Sequence, residues 1–83
     1  PINFVKIDGA FVQDMDANEL NQAMVRSMNE IAHVMGKKTI AEFVENAAIM
    51  KILAEIGVDY AQGYGIAIPR AISEMNTDEQ QTA

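Results

Sequence analysis

The sequence predicts an α/β fold of βαβαβ order, with parallel strands joined by crossover helices. Three observations lead to it. Short runs rich in β-branched and aromatic residues fall at 2–8, 39–45 and 60–68, as strands require. The two stretches between them carry apolar residues at helical spacing, with capping residues at their ends. Each stretch is long enough to carry the chain back over the sheet, so that the next strand runs parallel to the last.

The first strand is "INFVKID", residues 2–8, which Gly9 ends. Beyond Phe11 and Val12, Asp16 is followed three residues later by Glu19. This is a capping-box signature, so a helix is predicted to begin there. Leu20, Met24, Met28, Ile31 and Met35 form one apolar stripe, predicted to pack on the sheet, and Gly36 stands where a C-terminal glycine cap belongs. The second strand is "TIAEFVE", residues 39–45. A period of two turns Ile40, Glu42 and Val44 to one face and Thr39, Ala41 and Phe43 to the other.

Asn46 is the predicted N-cap of a second helix whose Ile49, Ile52, Leu53 and Ile56 share a face, and Gly57 closes it. The third strand is predicted over Tyr60–Ile68, ending at Pro69. Residues 1–70 are therefore read as the folded part and 71–83 as a flexible polar tail. Parallel sheets are normally covered on both faces. Two helices on three strands fall short of that, which marks the chain as a slice of a larger α/β architecture.

Composition narrows the function. A chain of 83 residues makes at most one small domain, and its 49% apolar content is that of a globular protein. The net charge of −6, dispersed along the chain, argues against binding DNA or RNA polymers, which takes a cationic footprint. No run is long and apolar enough to be a membrane segment or a secretory leader, and the absence of cysteine fits a reducing compartment. A cytoplasmic location is expected.

Each predicted strand carries a polar residue in an apolar setting: Lys6 beside Asp8 on the first, Glu42 on the second, Gln62 between Tyr60 and Tyr64 on the third. These lie toward the C-terminal ends of the strands, where parallel α/β folds build their sites. An unpaired buried carboxylate costs several kcal/mol, on the order of the cost of breaking a buried ion pair, so Glu42 needs a cation, Lys6 or open water beside it. A Lys6–Glu42 pair is equally a structural ion pair on spacing alone. His33, with no Cys, Asp or second His at metal-ligand spacing, reads as a helix-surface residue, and the helical methionines read as core.

The segments "FVKIDGAFVQDM", "TIAEFVEN" and "GVDYAQGYGIAIP" resemble, in order and spacing, three successive signatures of the EAL-domain family of bacterial cyclic di-GMP phosphodiesterases. The resemblance covers about residues 2–70. It implies a fragment of a TIM-like (β/α)8 barrel, the EAL fold, with its site at the C-terminal mouth of the strands. It further implies signal transduction by hydrolysis of cyclic di-GMP to pGpG by metal-activated water, with Mg²⁺ or Mn²⁺ as cofactor in the complete domain. Lys6 then holds the nucleophilic water, Glu42 acts around metal and water, Gln62 belongs to the metal shell, and Asp8 is a further contributor to the site.

Phe43 departs from the family, which usually has glycine there. The upstream family motifs that complete the metal site are not in this sequence, so residues 1–83 alone are expected to be inactive. A degenerate domain that binds cyclic di-GMP or a protein partner without hydrolysis is the alternative. A partial barrel leaves a strand edge and apolar helix surface open, so self-association, or pairing with the missing barrel half, is expected.

Overall fold

The computed structural model describes residues 3–63 and 66–74. It contains strands β1 (Phe4–Ile7), β2 (Lys38–Val44), β3 (Tyr60–Gly63) and β4 (Ile66–Ala71), and helices α1 (Gly9–Val12), α2 (Glu19–Val34) and α3 (Ala47–Ile56). The four strands form one sheet in the order β1-β2-β3-β4. The first two pairings are parallel, as predicted, and β4 returns antiparallel to β3.

The fourth strand corrects the sequence reading. The single strand predicted over Tyr60–Ile68 is split, and β4 continues through Pro69 to Ala71. Gly63, at φ 113°, ends β3, and Pro69 is tolerated because, among the described residues, β4 pairs on one side only. Ordered structure also runs past residue 70: the Ile72 amide donates to the Asp59 carbonyl at 2.9 Å, and its side chain is buried in the core. Tyr64 and residues 75–83 of the expected tail lie outside the described residues.

The core lies between one face of the sheet and the helices. It joins Ile7, Ala41, Val44 and Ala61 of the strands to Val25 of α2 and to Ile49, Met50 and Leu53 of α3. The second helix follows its predicted pattern: Asn46 accepts from the Ile49 amide at 2.9 Å, and Gly57 closes the helix at φ 96°.

The first long helix differs at its start and in the face it buries. Its N-cap is Asn18, which accepts from the Asn21 amide at 3.0 Å, and the predicted cap Asp16 lies in a 3-10 turn, Met15–Ala17. Val25, Asn29 and Ala32 face the sheet, whereas Leu20, Ile31 and Met35 of the predicted stripe are 70, 61 and 59% exposed. At about 100° per residue, the two sets lie roughly a third of a turn apart, with Met28 between them. The reading failed because the buried face is centred on a polar residue, and Asn29 is accommodated there by its hydrogen bonds to the Ile56 carbonyl (3.3 Å) and the Thr39 hydroxyl (2.6 Å). Gly36, at φ 76°, ends this helix as expected, with the Lys37 amide reaching back to the Ala32 carbonyl at 2.9 Å.

Candidate functional site

The face of the sheet turned away from the helices carries the candidate residues. Phe4 and Tyr60, from β1 and β3, meet across β2 with ring centroids 5.6 Å apart. Two residues further along each strand, period two brings Lys6 and Gln62 to the same side. In register, Lys6 is opposite Ile40, and Ile40 is opposite Tyr60. Glu42 and Gln62 therefore stand level on adjacent strands, with Lys6 one level deeper on the other neighbour of β2. Strand rise and spacing put its Cα roughly 8 Å from that of Glu42, within reach of a lysine side chain directed at the same opening.

Glu42, Phe43, Gln62 and Gly63 line a cavity of about 200 Å³ at the C-terminal ends of the parallel strands. Glu42 is half-buried there, and among the described residues it forms no ion pair with Lys6. Asp8 is tied up locally, since its Oδ1 accepts from the Ala10 amide at 2.9 Å and caps α1. A larger hollow of about 400 Å³ lies against Ser27, Glu30, Ile31 and Val34 on the open face of α2, remote from these strand ends.

The predicted alternation of β2 breaks inside the site. Ala41 pairs with Ala61, and the next pairing is Val44 with Gly63. Residues 42 and 43 thus stand opposite Gln62 alone, a β-bulge. Phe43 takes φ 59°. The extra residue rotates Val44 to the helix side, where it is 1% exposed in the core, rather than to the face of Glu42 as alternation required. Phe43 itself is 60% exposed at the mouth.

A polar cluster that the sequence reading missed lies at the opposite ends of the strands. The His33 Nε2 donates to Asp59 Oδ2 at 2.6 Å, and the Thr39 amide donates to the same oxygen at 2.9 Å. Burial raises the Asp59 pKa, but the His33 hydrogen bond, the Thr39 amide, the charge of His33 and the Thr39 hydroxyl together hold it below the usual carboxylate value. Thr39, wholly buried, also donates its hydroxyl to Asn29 Oδ1 at 2.6 Å. The signal in the sequence was Asp59 one position before β3 and Thr39 second in β2, with Asn29 inside a helix. His33 is accordingly a partner of Asp59, and no cluster of three or more metal-ligating His, Cys, Asp or Glu occurs among the described residues.

The EAL domain family matches residues 1–69. The chain is 45% identical over 73 residues to a cyclic di-GMP phosphodiesterase, PdeB, of Shewanella oneidensis, covering 88% of this chain and 8% of that protein. Among solved structures, the EAL domain of Pseudomonas aeruginosa FimX bound to c-di-GMP aligns with TM-score 0.71 and 36% identity, over 84% of this chain and 28% of that one. The EAL domain of Mycobacterium smegmatis DcpA aligns with TM-score 0.73 and 31% identity, over 98% and 36%. The expected βαβαβ slice of a TIM-like barrel is what these neighbours share with the chain, which spans only a small part of each relative. Among the described residues, no helix is long and apolar enough to cross a membrane.

Proposed function

Because the chain belongs to the EAL domain family, we propose that it supplies one part of the catalytic mouth of a bacterial cyclic di-GMP phosphodiesterase. The observation that carries this reading is the convergence of Glu42 and Gln62 on one cavity at the C-terminal strand ends, with Lys6 on the adjoining strand. The oxygens of Glu42 and Gln62 suit a hard divalent cation such as Mg²⁺ or Mn²⁺. Two donors leave most of its coordination to water and to groups outside this chain. When bound, the cation supplies charge neutralisation and a more acidic water.

In this reading the residues divide the work. The Lys6 ammonium holds the attacking water in line and offsets the charge that develops on the phosphoryl oxygens. Glu42 accepts the water's proton, and Gln62 fixes the carboxylate side of the cavity. One P–O bond forms to the water oxygen and one P–O ester bond breaks, the leaving sugar oxygen taking a proton from solvent, which opens the ring to pGpG. In the full-length protein, Lys6→Ala and Glu42→Ala are each expected to lower pGpG release, followed by chromatography, by at least about tenfold with the domain still folded. Unchanged rates would return both residues to a structural role.

Residues 1–83 alone are expected to release no pGpG with Mg²⁺, because two oxygen donors do not make a complete site. Among the described residues, the edge of β1 left open and the exposed apolar face of α2 support self-association of the isolated chain or pairing with the rest of the barrel. A cytoplasmic setting belongs to the same reading. A second reading, binding of cyclic di-GMP without hydrolysis, is favoured by the exposed Phe43 ring at the mouth. Saturable binding by the full-length protein with no pGpG formed would select it.

A further inference from the structure

We propose that Phe43 is a positioning residue for Glu42, held by a steric lock in which Gly9 and Gly63 leave the space that the bulge occupies. The proposal rests on the reading of Glu42 as a site residue and adds what sets its direction.

Two clamps meet at the bulge. On one side, the Phe43 ring lies on the backbone of Gly9, the first residue of α1: a Cβ added there would stand 2.8 Å from Phe43 Cγ and 3.0 Å from its Cβ. On the other, a Cβ added to Gly63 would stand 2.7 Å from the Val44 nitrogen and 2.8 Å from its oxygen. Both are closer than side chains pack. Gly63 therefore admits the bulged backbone, which a side chain there would strike, and Gly9 admits the Phe43 ring, which a side chain there would displace.

Between the clamps, Phe43 keeps a left-handed backbone that L-residues other than glycine rarely adopt. Such a conformation persists only where its surroundings over-determine it. The ring against Gly9 is the contact that does so on the mouth side. Since Glu42 and Phe43 together stand opposite Gln62, the peptide they share sets where the Glu42 carboxylate points. The ring is mostly exposed, so its burial is a small part of its role, and the direction it imposes on the neighbouring carboxylate is the larger part.

The lock is tested by a coupling measurement in the full-length protein with Gly9→Ala, Phe43→Gly and the double variant. The backbone at Gly9 is an ordinary helical start that alanine fits, so Gly9→Ala acts through the ring it displaces. We expect it to lower kcat about tenfold or more with little change in KM, since misplacing a reacting group by an ångström is worth that much. In the Phe43→Gly background the same methyl is expected to change kcat by less than about twofold.

A second readout is independent of turnover: the side-chain carboxyl ¹³C resonance of Glu42 should move in Gly9→Ala and return in the double variant toward its position in Phe43→Gly. Turnover with equal Gly9→Ala losses in both backgrounds would overturn the lock while leaving the enzyme reading intact. An inactive wild-type protein whose Glu42 resonance still follows the coupled pattern would sink the enzyme reading and keep the lock. A resonance that ignores Gly9→Ala would end the proposal.

Discussion

Replacing Asp59 with alanine removes the hub of the cluster below the sheet, and its cost follows from what each partner loses. The Thr39 hydroxyl has one proton, which goes to Asn29 at 2.6 Å, so its 3.2 Å approach to Asp59 Oδ2 adds little. Two donors remain. The Thr39 amide, on a wholly buried residue, is left without an acceptor, at about 1–3 kcal/mol. The His33 contact is partly exposed, with side chains 38 and 22% accessible, and contributes about 0.2–1 kcal/mol.

The expected local destabilisation is therefore about 2 kcal/mol, equivalent to roughly thirtyfold faster amide exchange at Thr39. Asp59→Asn keeps an acceptor for that amide and should lose much less. The pH dependence has a definite sign: the folded pKa of Asp59 lies below its ordinary 3.8. Its stabilisation is full above that value and disappears as pH falls through the depressed folded one. Exchange at Thr39 that accelerates less than about twofold in Asp59→Ala, or an advantage over Asp59→Asn that survives at the acid end, would refute the assignment of Asp59 as the acceptor that anchors β2.

Other substitutions test separate parts of the structure. Gly63→Ala should cost at least about 2 kcal/mol in denaturant unfolding of the full-length protein, because a methyl at φ 113° would strike the Val44 backbone; a loss comparable to an ordinary surface change would contradict the close approach. Asn46→Ala should cost about 1 kcal/mol by removing the cap on α3, read from the same unfolding curves. In the isolated chain, Ile31→Lys with Val34→Lys should lower the average mass in sedimentation, since both side chains lie on the uncovered face of α2. Unchanged mass would place self-association elsewhere.

Much of the architecture was legible because local signals agreed with the global fold. Asn46 and Gly57 bracket α3 as predicted, Gly36 ends α2, and the apolar runs locate β1, β2 and the start of β3. Lys6, Glu42 and Gln62 were legible as candidates because each is a polar residue in an apolar strand; the level placement of Glu42 and Gln62 comes from the parallel register. What escaped the reading was non-local. The turn of Val44 into the core depends on a bulge held by Gly9 and Gly63, from two other segments. Asn29 is buried because Thr39 and Ile56 meet it there, and hydrophobic periodicity assigns no value to such partners. The return of β4 depends on pairing with β3, and its residues read equally well as a continuation of one strand.

The register of the sheet has a further consequence. Lys6 meets its row only after pairing across to Ile40, and the Glu42–Gln62 level forms only once Ala41 has found Ala61. Gly63 and Ile66 pair almost without separation. A collapsed chain with native helices and its C-terminal hairpin in place would give a near-native circular dichroism spectrum yet possess no mouth. Ligand capture at this rim is thus a late, stringent reporter of correct assembly: it scores strand alignment that spectroscopic measures of helix content pass over.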